Sequence, residues 1–137
     1  MKRYNLVLLT FLLMALSAKA EDVYVVVSAT ITVYEGEDKF TKRDIYTDYS
    51  YVSPVIKINK ERYHKIYAEQ AFGEQLVKRY KFHTVRQRPL SMSFADRKEA
   101  RKYYDEQKKA GYARLSFTRT SIEKKWREVQ ERIKKNK

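Results

Sequence analysis

Residues Val23 to Tyr34 read VYVVVSATITVY. Val23, Val25, Val27, Ala29, Ile31 and Val33 fall on one face of an extended chain, and Ser28, Thr30 and Thr32 on the other. Apolar/polar alternation at period two, in β-branched residues, predicts a strand buried on one side. The segment Glu35-Gly36-Glu37-Asp38-Lys39 is a polar turn. A second extended region follows from about Ile45 to Ile58, with Val52, Pro54, Ile56 and Ile58 on one face. Pro54 has no N–H, which places this stretch at a sheet edge or in a bulge. The connection between the two is too short for a helical crossover, so they form a hairpin.

Beyond Ile58 the period changes. Asn59 is the expected N-cap of a helix from about Lys60 to Tyr80, with Tyr63, Ile66, Tyr67, Phe72, Leu76 and Tyr80 along an apolar stripe. Gly73 weakens its middle by about 1 kcal/mol relative to Ala and marks a place to break or kink. Lys81 to Pro89 reads as a loop. Leu90, Met92 and Phe94 alternate with serines as a short strand. Asp96 and Glu99 have capping-box spacing, Ala100, Tyr103, Tyr104 and Gln107 follow a helical stripe, and Gly111 stands where a helix C′ residue is wanted. Ala113, Leu115 and Phe117 alternate again. This strand–helix–strand unit favours parallel strands. Thr120 and Glu123 form a second capping-box pair, and Ile122, Trp126, Val129 and Ile133 line one face of a terminal helix. That stripe calls for docking on the sheet or on a partner. The expected fold is α+β: a two-layer sandwich with about four strands in a mixed sheet, in the order β-β-α-β-α-β-α, and helices mainly on one face.

The chain begins with the pattern of a secretory signal peptide. Lys2 and Arg3 give a positive start, Leu6 to Leu16 (LVLLTFLLMAL) an apolar run, and Ala18-Lys19-Ala20 the small residues of a cleavage site. The run is about half the roughly 20 residues needed to span a bilayer. Cleavage is expected near Ala20/Glu21, leaving residues 21–137 as one small domain, secreted or periplasmic, without a transmembrane segment. No Cys lies near the cleavage site, which excludes a lipoprotein. Beyond residue 20 the chain carries 27 basic and 17 acidic side chains, a net charge near +10. Such a charge attracts anionic lipid, acidic polysaccharide or an acidic protein, and outside the cytoplasm these outrank nucleic acid. The absence of cysteine removes disulfides, thiol catalysis and cysteine-ligated metal sites.

No catalytic pattern emerges. His64 and His83 are isolated in cationic surroundings, and make a weak metal site. The carboxylates Glu35, Glu37, Asp38, Asp44 and Asp48 read as a solvated hairpin connection and lack the spacing of a calcium loop. No metal and no cofactor is expected. The strongest candidate is electrostatic. From Val77 to Ala95 there is no acid in 19 residues, while Tyr80 and Phe82 interleave with cations. Arg79, Lys81, His83, Arg86 and Arg88 form the candidate binding loop, with Arg86 and Arg88 foremost because guanidinium grips phosphate, sulfate or carboxylate bidentately.

Residues 90–117 (LSMSFADRKEARKYYDEQKKAGYARLSF) resemble half of a SPOR-type peptidoglycan-binding domain, with Asp96, Ala100 and Gly111 in comparable places. The two strands before the first helix depart from that family, which has one there. The resemblance implies a glycan-binding envelope module. The leading expectation is a small non-enzymatic protein engaging a protein or an anionic envelope partner through its basic surface. The alternatives are that glycan-binding module, a toxin inhibitor of immunity type, a subunit that assembles with its own copies and, last, a hydrolase.

Overall fold

The computed structural model describes residues 21–137; the expected leader, residues 1–20, lies outside the described residues. The chain runs β1 (Asp22–Glu37), β2 (Asp44–Val52), β3 (Ile56–Asn59), α1 (Lys65–Tyr80), a 3-10 turn (Lys81–His83), β4 (Thr84–Phe94), α2 (Arg97–Lys109), β5 (Ala113–Arg114) and α3 (Arg119–Lys135). Among the described residues no helix is long and apolar enough to cross a membrane.

β1 is the spine. One edge pairs antiparallel with β2 over its C-terminal half and with β3 over its N-terminal end. The other edge pairs antiparallel with β4 from Tyr24 to Val33. β5 adds two residues parallel to β2, which makes the sheet mixed, as the alternation predicts. The sheet has five strands rather than four because the second extended region is broken at Ser53-Pro54-Val55. There Ser53 Oγ accepts the Val27 N–H at 2.9 Å and donates to the Pro54 carbonyl. Pro54, with no N–H to give, sits in this bulge. β4 and β5 both run parallel to β2, so α2 is the expected crossover between parallel strands.

The odd-numbered residues of β1 face α1 and α3. Val25, Val27, Ala29, Ile31 and Val33 form one core with Phe72 and Leu76 of α1, Ile122 of α3, and Phe117. Phe72 meets Phe117 edge to face at 5.1 Å. The middle helix departs from a two-layer arrangement. α2 lies on the opposite face, where Ala100 and Tyr104 cover Val26 and Val52. Thirteen residues make a helix of about 20 Å, so α2 covers only one end of the sheet. At that end Val25, Val26 and Val27 are all fully buried, and the other end stays open on the α2 side.

Local signals succeed or fail for visible reasons. Asp96 Oδ1 caps α2 by accepting the Lys98 N–H at 3.0 Å. Gly111, at φ +98°, closes it, with the Tyr112 N–H on the Gln107 carbonyl and the Gly111 N–H on the Lys108 carbonyl. α1 begins five residues later than expected, because Asn59 Oδ1 takes the Glu61 N–H in a tight turn instead of capping a helix. α1 runs unbroken through Gly73, which is buried against Gln87 of β4. α3 starts after Thr118 rather than at a Thr120/Glu123 box; Glu123 instead pairs with Arg62 and Arg119. α3 docks through Ile122 and a Lys125–Glu74 ion pair, while Trp126 is only half-buried and residues 131–137 are exposed.

Candidate anion-binding surface

The acid-free stretch is not a loop. α1 continues to Tyr80 and ends at Lys81, whose N–H returns to the Val77 carbonyl. Lys81 sits at φ 54°, ψ −126°, a conformation that L residues rarely adopt. One 3-10 turn follows and the chain enters β4 at Thr84. Register with β1 fixes what each side chain faces. Thr32 stands opposite Arg86, and Thr30 opposite Arg88.

Arg86 and Arg88 therefore stand on the open side of the sheet, beyond the reach of α2. Residues two apart in a strand lie about 7 Å apart on one face. With Thr30, Thr32, Asp48 and Tyr112 they border a shallow cavity of about 390 Å³. Its floor is a ladder of hydroxyls. Thr30 Oγ1 and Ser50 Oγ share a hydrogen bond at 2.9 Å, and Thr32 Oγ1 donates to Asp48 Oδ1 at 2.6 Å. Tyr34 and Tyr46 continue the ladder with ring centroids 5.7 Å apart, and the Tyr34 hydroxyl donates to Asp44 Oδ1. Desolvation first, then the Asp44 carboxylate, raises the Tyr34 phenol above its ordinary value, so it remains a donor.

Arg79, Lys81 and His83 go elsewhere. They gather around a second opening of about 470 Å³ at the end of α1, walled by Tyr34, Glu35 and Tyr80. The Arg79 guanidinium lies 5.4 Å from the centroid of the Tyr51 ring, a cation–π contact. Tyr80 stacks on Tyr49 at 5.3 Å and shares a hydrogen bond with the Tyr51 hydroxyl. Burial, then that hydrogen bond, pushes the Tyr80 phenol up to about 12. The Tyr49 hydroxyl donates to Glu35 Oε1 at 2.5 Å. None of the five candidate cations belongs to an ion pair among the described residues.

The acids of the first hairpin have structural work. Asp38 Oδ1 accepts the N–H groups of Phe40 and Thr41, which hold its carboxyl below the usual range. Glu35, Asp44 and Asp48 accept from Tyr49, Tyr34 and Thr32. His64 stacks on Tyr67 at 4.5 Å. Among the described residues no three His, Asp or Glu side chains gather as a metal site.

Charge picked out the five cations; it did not pick out the hydroxyl ladder or the tyrosine pair beside them. The signal was present in β1. Ser28, Thr30 and Thr32 are the polar side of the alternation, and a hydroxyl every second residue makes a polar strip once the strand is paired. Comparisons with protein families, curated proteins and solved structures returned no match.

Proposed function

We propose that this chain is a non-enzymatic binding protein, working outside the cytoplasm, that holds an anionic partner against the open face of its sheet. The supporting observation is the pair Arg86 and Arg88. They point the same way from neighbouring positions on one strand, face no acid in an ion pair, and border a floor of hydroxyls. Two guanidiniums so placed grip two oxyanions of an extended ligand. The hydroxyls and the Tyr34–Tyr46 pair favour a ligand that offers hydroxyls and flat ring faces as well as charge. An acidic glycan has all three.

Binding to purified peptidoglycan, to an acidic polysaccharide and to vesicles containing anionic lipid tests this, with salt as the variable. Arg86→Ala/Arg88→Ala is expected to fold normally, since both side chains are exposed, and to lose binding. Binding that neither salt nor the double substitution weakens refutes the reading. Retention on vesicles alone makes lipid head groups the ligand, and retention on none of the three counts against an anionic envelope ligand.

A further inference from the structure

The two long edges of the sheet are finished differently. Val27 directs both its N–H and its carbonyl to Ser53. Odd-numbered residues of β1 therefore bond toward β2 and β3, and even-numbered ones toward β4. The register then turns the backbone groups of Gln87, Pro89, Ser91 and Ser93 away from β1. Pro89 has no N–H to offer, and the Ser91 N–H is taken by Glu69 Oε1 at 3.1 Å. Proline and a covering side chain are the usual means of blunting an edge against added strands.

β2 carries no such protection. β5 covers only Tyr51 and Val52. By the same register the N–H and C=O of Tyr46, Asp48 and Ser50 point outward, and no strand pairs with them among the described residues. β2 contains neither Pro nor Lys nor Arg. Ile45 and Tyr46 are exposed large side chains. Asp44 and Asp48 sit on the strand, with Glu35 and Glu37 on its neighbour, in a chain of net charge +13.

We infer that the β2 edge from Tyr46 to Ser50 accepts an extended basic segment of another protein as an added strand. The main chain of Tyr46, Asp48 and Ser50 supplies the hydrogen bonds, Asp44 and Asp48 select a basic sequence, and Ile45 and Tyr46 offer apolar contact. A second copy fits less well. Two β2 edges paired antiparallel about Tyr46 set Asp44 opposite Asp48, and paired about Asp48 set that residue against itself. The blunted β4 edge is a poor donor strand. Asp48 and Tyr46 also border the face that carries Arg86 and Arg88. The hydrogen bonds of an added strand, however, come from the outward main chain of β2, on the far side of β1 from β4. Amide protection therefore tests this inference, and Arg86→Ala/Arg88→Ala tests the other.

The test is hydrogen exchange on isotope-labelled protein, with a peptide of alternating Lys and Val as the probe and one of alternating Glu and Val as the control. The Lys/Val peptide is expected to protect the amides of Tyr46, Asp48 and Ser50 and to leave those of Gln87 and Ser93 unchanged. Asp48→Pro removes one outward N–H together with the carboxylate that Thr32 donates to, leaves the main-chain bonds to β1 in place, and should weaken binding about two- to tenfold relative to Asp48→Asn. Asp48→Asn keeps that N–H and the acceptor for Thr32, and should narrow the preference for Lys over Glu peptides. Protection at Gln87 and Ser93, no protection anywhere, or equal binding of both peptides overturns the proposal. Protection of the same three amides by self-association without peptide also overturns it, and makes a second copy the occupant.

Discussion

Gly73→Ala is expected to stabilise the protein, although a close contact stands in its way. A Cβ at Gly73 would lie 2.7 Å from Gln87 Oε1, 3.2 Å from Cδ and 3.3 Å from Nε2. All three atoms belong to the far end of one side chain, and Gln87 is exposed. Turning that end aside removes some of its rotamers. The cost is a few tenths of a kcal/mol, a fraction of the roughly 2 kcal/mol that full immobilisation takes. Against it stands the helix preference of Ala over Gly, about 0.8–1 kcal/mol in a helix interior. The net gain is about 0.5 kcal/mol, which raises Tm by about 2 °C for a domain of this size. Urea unfolding followed by circular dichroism measures it. In a Gln87→Ala background the contact is gone, and the gain should rise toward about 1 kcal/mol. A loss of more than about 1 kcal/mol that persists in that background would mean that the β4 backbone itself needs the glycine, and would refute the reasoning.

Three further outcomes are expected. Ile122→Ala should cost about 2–5 kcal/mol in urea unfolding, since Ile122 is fully buried. Trp126→Ala should cost less than half of that, because the ring keeps part of its surface in water; equal losses would mean that α3 docks further along than Ile122. Asp96→Ala should cost about 0.5–2 kcal/mol in thermal melts and Asp96→Asn close to nothing, because either side-chain oxygen accepts the Lys98 N–H. The folded Tyr80 phenol titrates above its ordinary value of 10.0, near 12. Its share of stability is complete below pH 10 and is lost as pH rises toward 12. The alkaline loss of stability should be smaller in Tyr80→Phe, and phenolate absorbance should show one high-titrating group fewer.

Where the sequence spoke clearly, a single physical cause acted at each position. β1 alternates because one face is covered from Val25 to Val33. α2 is bounded by Asp96 and Gly111 because a capping carboxylate and a left-handed residue each do one job there. The failures share another cause. The first half of β4 reads TVRQRP, with polar side chains on both faces. Arg86 and Arg88 look into solvent, while Gln87 lies across Gly73 of α1. No hydrophobic period survives in such an edge strand, so the stretch reads as a loop until β1 is there to pair with it. Asn59 and Glu123 carry the right chemistry for caps, but other partners take them: the Glu61 N–H in a local turn for Asn59, and Arg62 across the fold with Arg119 on the same helix for Glu123.

The strand assignment changes what the basic run can do. In a loop, five cations could converge on one ligand. As built, Arg79, Lys81 and His83 belong to the end of α1, on the side that α1 covers, while Arg86 and Arg88 project from the other side of the sheet. Among the described residues the two groups share no ion pair or hydrogen bond with each other, although Tyr34 lies beside both, and substitutions in them should add. The open side is itself written into β1. Its even-numbered residues run Tyr24 and Val26, then Ser28, Thr30 and Thr32. The first two lie under Tyr104 and its neighbours on α2, and the hydroxyls begin where α2 ends. Two more turns on α2 would bury the two guanidiniums of Arg86 and Arg88 with only the Asp48 carboxylate beside them, at a cost of several kcal/mol. The short helix and the change from valine to threonine along β1 are therefore two sides of one arrangement. They keep a charged, hydroxyl-lined face open to solvent beside the buried core.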